Sequence, residues 1–132
     1  MASQIKEYHL LHIEDYQGAR TYSLNTATVS IGRDASNNIV ISDPLASIQH
    51  ALLVRVPAQT TQYRYEIFDG DGSGNSSTIG LSVNQSICDR QLLVTGDHIQ
   101  IGSTRLCYML ARMTPTEYRQ YFEVEQVVTV GC

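Results

Sequence analysis

The chain has 132 residues, 42% of them hydrophobic, and a formal net charge of −4. That is enough for one domain with its own core, too little for two ordinary domains, and too apolar for wholesale disorder. The acidic balance argues against duplex DNA as the main partner, because that binding rests on clustered Lys and Arg, and no apolar run approaches the roughly 18 residues of a membrane span.

Three widely spaced cysteines, Cys88, Cys107 and Cys132, and no apolar leader after Met1 argue against a secreted disulfide scaffold. The expectation is a cytoplasmic protein with free thiols, Cys107 serving as a small core residue. Of nine cationic residues only Lys6 is a lysine. Arginine suits bidentate contact with an anion, although compositional drift explains such a bias as well.

In chain order the elements read as β. Residues 5–14, IKEYHLLHIE, are extended, YQGA turns, and RTYSL returns. TVSIG alternates, with Val29 and Ile31 on one face. NIVIS is short and β-branched. HALLVRV is apolar at both parities, as a strand packed on two sides would be. YRYEIFD sets Tyr63, Tyr65 and Ile67 on one face; IGLSVN and DHIQIG alternate; RLCYMLA closes the series. Short strands recurring about every 8–12 residues, with Gly, Asn and Asp between them, predict an all-β fold, an antiparallel sandwich or barrel.

The tail differs. In MTPTEYRQYF, Thr114 is a candidate N-cap, Pro115 takes the first helical position and Glu117 follows three after the cap. A short helix is predicted, with Tyr118, Tyr121 and Phe122 on one face. VEQVVTV reads as a further strand or an extension. There is no internal repeat and no linker. The sandwich is expected over 1–111, with a C-terminal extension over 112–132 packed on it or trailing it.

Chemistry concentrates in SIGRDASNNIVISDPLASIQHALL, residues 30–53. IGRDASNNIVI holds Gly32, Arg33 and Asn37, and DPLASIQHALL holds Asp43, Ser47, His50 and Ala51. Later, SSTIGLSVN holds Ser77, Thr78, Gly80, Val83 and Asn84, and GDHIQIG holds Gly96, Asp97, Ile99, Ile101 and Gly102. These four blocks, in order from about residue 28 to 110, resemble the forkhead-associated (FHA) domain, a β-sandwich that binds phosphothreonine peptides. The chemistry is coherent on its own terms. A phosphate needs charge plus several directed donors, and loops at one end of a sandwich converge even when distant in sequence.

The resemblance implies that Arg33 and Ser47 hold the phosphate and that Thr78 or Ser77 adds a third contact. It implies that Gly32, Asn37, Gly80 and His50 support the loops, Gly32 by making the turn that aims Arg33 and His50 as a structural tie without catalysis. The implied partner is a protein phosphorylated on threonine by a Ser/Thr kinase, with phosphoserine binding worse. No enzyme activity, cofactor, nucleic acid or membrane is implied. Two positions depart from the family pattern. Ile48 stands where Arg or Asn often adds a phosphate contact, and Ile79 stands where an Asn bonds the peptide backbone; Leu81 also replaces a Thr. Each lost hydrogen bond weakens binding by roughly 1.5–3 kcal/mol. The alternative is a scaffold that binds without phosphate, with Ile48 and Ile79 in an apolar patch.

Other constellations carry less. DGDGSGN at 69–75 echoes the start of a calcium loop, but position twelve is Gly80 and no helices flank it. Asn75 could replace the missing family Asn, though a turn-supporting role is simpler. His9 and His12, three apart on a strand, face opposite ways. Ser47, His50 and Asp69 contain hydrolase residue types, without a G-x-S-x-G elbow. The tail aromatics are expected on the sandwich rather than on bases. Thr114 and Thr116, in TPTEY, could become an intramolecular ligand if phosphorylated; helix capping is the simpler role.

Overall fold

The computed structural model describes residues 4–58 and 63–124. Among them run β1 (Lys6–Asp15), β2 (Gly18–Leu24), β3 (Thr28–Gly32), β4 (Ile39–Val40), β5 (Ala51–Val56), β6 (Arg64–Asp69), β7 (Leu81–Val83), β8 (Ser86–Cys88), β9 (Arg90–Leu92), β10 (His98–Ile101), β11 (Thr104–Met113) and α1 (Pro115–Val124). They form two sheets, ordered β2-β1-β11-β10-β7-β8 and β4-β3-β5-β6-β9. The long antiparallel pair β1–β11, in register from Lys6↔Met113 to Glu14↔Arg105, forms the middle of the first sheet. The predicted sandwich is thus present. It is not purely antiparallel, since the two-residue β4 pairs parallel to β3.

Alternation builds the core. Leu11, Ile13, Ile99, Ile101, Leu106 and Tyr108 face inward from the first sheet, and Val29, Ile31, Ala51, Leu53, Tyr65 and Ile67 from the second. Each large apolar side chain so buried contributes roughly 1.5–3 kcal/mol. The outer residues of β5 differ from expectation: Leu52 and Val54 are half-buried rather than packed on both faces. The cover over Leu52 is a loop, because a Cβ added at Gly72 would lie 2.7 Å from its Cδ2.

Strands β8 and β9 were not foreseen. Three residues each, they are too short to show a period, and the single residue Asp89 joins them, carrying the chain from one sheet edge to the other. Strand β11 also runs two residues into the expected extension. Helix α1 starts as predicted: the Glu117 N–H donates to Thr114 Oγ1 (3.1 Å) and the Thr114 N–H donates to Glu117 Oε1 (2.8 Å), a reciprocal capping box. Tyr118 stacks on Tyr8 of β1 at 4.1 Å, holding the helix against the first sheet. Of the segment expected as a strand or extension over 124–130, Val124 belongs to α1; the remainder lies outside the described residues.

The two histidines of β1 face opposite ways. His9 Nδ1 lies 2.5 Å from the Tyr108 hydroxyl and its ring stacks on Tyr63, whereas His12 Nδ1 lies 3.1 Å from Thr21 Oγ1. Burial, and then the charge of Arg55, push the His9 pKa down to about 4. Cys88 is free, but Cys107 is disulfide-bonded, which corrects the expectation of free thiols. Among the described residues no helix is long and apolar enough to cross a membrane.

Candidate functional site

Three inter-strand loops meet at one end of the sandwich: β3–β4, β4–β5 and β6–β7. Backbone contact binds the first two. The Arg33 N–H donates to the Ser47 carbonyl (3.0 Å) and the Asp34 N–H to the Ile48 carbonyl (3.3 Å). Gly32 makes this approach possible. A Cβ there would sit 2.2 Å from the Ile48 oxygen and 2.7 Å from Asn37 Nδ2. Its φ is not among the positive ones, so its role is close approach rather than the turn conformation expected from sequence. The buried Asn37 clamps the same junction, its side-chain amide donating to the carbonyls of Asp34 (2.9 Å) and Ile48 (2.6 Å).

His50 joins these loops to the third. It is fully buried. Its Nδ1 accepts the Ser47 N–H at 2.9 Å, and its Nε2 lies 2.8 Å from the Gly80 carbonyl. A backbone N–H can only donate and a carbonyl only accept, so the ring is the tautomer protonated at Nε2. Both nitrogens are committed to backbone. Ser47, His50 and Asp69 are therefore not assembled as a catalytic triad, and Asp69 instead receives the Ser77 hydroxyl and N–H.

Ser77 is turned to that same structural use. Its hydroxyl donates to Asp69 and accepts the Gly80 N–H (2.9 Å), so its one proton is occupied inside the loop. Of the two hydroxyls expected to offer a third contact, the Ser77 hydroxyl is the one engaged within the loop. Gly80, at φ 76°, is the left-handed residue that closes this turn.

The remaining residues surround a cavity of about 670 Å³. Arg33, Ser47, Thr78, Ile48 and Ile79 all line it. Arg33 Nε donates to the Ala46 carbonyl (2.9 Å), which fixes the root of the guanidinium while the residue stays exposed. Ser47 Oγ accepts the Thr78 N–H (2.9 Å) and lies 3.3 Å from Thr78 Oγ1. One guanidinium and two adjoining hydroxyls on one cavity form a donor set suited to a tetrahedral oxyanion.

Sequence reasoning missed part of the lining. Leu45 and Asp71 also face the cavity. Leu45 had no periodic signal, being a loop residue beside Pro44. Asp71 was noted only for its calcium-like spacing. Its carboxylate instead accepts from the Ser73 N–H and hydroxyl and from the Asn75 side-chain amide. The Asn75 amide and then Ser73 hold its pKa down to about 2. Asn75 is thus committed to Asp71, the turn-supporting role. Asp34, next to Arg33, is likewise held low, chiefly by the Ser36 hydroxyl and N–H.

The FHA domain family model matches residues 29–102, just over half of the chain. The ABC transporter ATP-binding/permease protein Rv1747 of Mycobacterium tuberculosis is 40% identical over 91 residues, which are 69% of this chain and 9% of that protein. The chain spans about a tenth of the length of the curated relatives it matches. Among solved structures, the Slr1951 protein of Synechocystis superposes with a TM-score of 0.72 at 35% identity, covering 76% of this chain and 96% of that one. A domain solved in a structural and functional analysis of phosphothreonine-dependent FHA domain interactions gives 0.63 at 26% identity, covering 82% and 98%.

Proposed function

The chain belongs to the FHA domain family, and from that premise we propose that it is a phosphothreonine-reading interaction module. Arg33 and the Ser47 hydroxyl hold the phosphate, the Thr78 hydroxyl adds a third contact, and Ile48 and Ile79 flank the bound chain. Gly32, Asn37, His50, Gly80 and Ser77 support the loops. The observation that carries the reading is Arg33 tied through Nε to the Ala46 carbonyl on the cavity it shares with Ser47 and Thr78. The solved relative studied for phosphothreonine-dependent interactions lends support. The partner is a protein modified by a Ser/Thr kinase, met in the cytoplasm, and no catalytic step is assigned. The disulfide at Cys107 pulls against a reducing compartment; thiol alkylation in intact cells decides between them.

A second reading has its own observation. Ile48 and Ile79 are 57% and 46% exposed where the family pattern has polar contacts, so the same end could bind a protein surface without phosphate. A degenerate phosphothreonine library, its unphosphorylated counterpart and the Arg33→Ala protein separate the two. Binding that needs both phosphate and Arg33 supports the reader. Equal binding of both libraries supports the scaffold.

A further inference from the structure

The two rims of the cavity differ in chemistry, and the difference bears on what accompanies the phosphate; the inference rests on the phosphopeptide reading above. From the β4–β5 loop come Leu45 and Ile48, 54% and 57% exposed, and from the β6–β7 loop comes Ile79 at 46%. Three large apolar side chains left open to water around one cavity form a patch suited to being covered. The β6–β7 loop also places Asp71 on the cavity, and Arg33 carries the only positive charge among the described lining residues. A bound phosphate brings a charge of about −1.5 to −2. Arg33 offsets one unit, and Asp71 returns one. The occupied site therefore carries an excess of negative charge, to which the exposed Asp34 beside Arg33 adds.

A ligand with cations of its own relieves that excess, and one with acidic flanks worsens it. The geometry points to a phosphothreonine ligand that carries a basic residue against Asp71 and an apolar residue on Leu45, Ile48 and Ile79, with acidic flanks rejected. Asp71 is thus a specificity-determining residue set by charge sign, while Arg33 gives the dependence on phosphate.

The test is fluorescence polarisation with phosphothreonine peptides in which each flanking position carries Arg, Leu, Ala or Asp in turn. At one or more positions Arg should bind about two- to fivefold more tightly than Asp, the range of exposed charge pairs. That ratio should shrink between about 0.05 M and 0.5 M salt, since charges near the surface are screened. Asp71→Asn should flatten it without removing phosphate dependence. Because Asp71 also organises its loop, the salt dependence of the unaltered protein supplies a readout that needs no variant. Leu45→Ala should erase a preference for Leu over Ala at a different position. Phosphate-dependent binding with no preference for Arg over Asp, or a preference that salt leaves unchanged, overturns this inference alone. If no peptide binds in a phosphate-dependent way, the phosphopeptide reading fails and takes this inference with it.

Discussion

His50 holds the Ser47 N–H at 2.9 Å and the Gly80 carbonyl at 2.8 Å, so one buried ring spans the two loops that carry Ser47 and Thr78. A fixed tautomer makes this a rigid strut. The distance between the two hydroxyl-bearing loops is set from beneath rather than by the loops themselves.

Replacing His50 by Ala is expected to cost about 2–4 kcal/mol, from two lost hydrogen bonds, two backbone groups left unsatisfied and a cavity. Urea unfolding measures it. A loss under about 0.5 kcal/mol would mean that the strut is idle.

Arg33 is exposed and its only described side-chain bond is to the Ala46 carbonyl, so Arg33→Ala should alter stability by less than about 0.5 kcal/mol. Phosphopeptide affinity should fall at least about tenfold, the worth of a charge-assisted hydrogen bond. Arg33→Lys keeps the charge, loses the fork, and should fall between the two. Calorimetric titration of the three proteins against one peptide checks the order; an unchanged Kd in Arg33→Ala removes the phosphate-reader account.

Gly32→Ala and Gly80→Ala should both destabilise, for different reasons. At Gly32 the new methyl meets the Ile48 carbonyl oxygen at 2.2 Å, so two loops must part, a cost of about 1–3 kcal/mol. At Gly80 there is open space but a φ of 76°, so the cost is backbone strain alone, about 1 kcal/mol. Thermal melts should rank Gly32→Ala lower. The reverse ranking would refute the close-approach explanation.

Acid should weaken the fold before its carboxylates protonate. His9 titrates near 6.5 when unfolded and at about 4 when folded. Above pH 6.5 it is neutral in both states and stability is fully present. As pH falls from 6.5 to 4 only the unfolded chain takes up the proton, and ~3 kcal/mol is lost. Asp15, held at about 2 despite its burial by Arg20 and the N–H groups of Ser42 and Gln17, adds its loss only below about pH 4. Unfolding at pH 7, 5.5 and 4.5 should show the first loss, and His9→Phe should abolish it. An unchanged pH profile in that variant would assign the loss elsewhere.

The sandwich was legible because alternation is local: TVSIG and DHIQIG declare an inner face within five residues. The spacing of Gly32, Arg33, Ser47 and His50 was legible because backbone approach and anion chemistry restrict those positions to few residue types. Other features lacked such a signal. Strands β8 and β9 are shorter than two periods. Ser77 and Thr78 are adjacent and chemically alike, and only the Asp69 carboxylate decides which hydroxyl is consumed inside the loop. Asp71 and Leu45 reach the cavity through loop geometry, which no periodicity encodes. The Cys107 disulfide has no local sequence signal.

The crossing at Asp89 reaches further than the strands it joins. Its carbonyl accepts the Asp69 N–H at 2.8 Å, and the Asp69 carboxylate holds Ser77, the neighbour of Thr78. The stitch between the two sheet edges is therefore also the far anchor of the loop that carries Thr78. A partner arriving there meets a loop already ordered, so little conformational entropy is surrendered on binding.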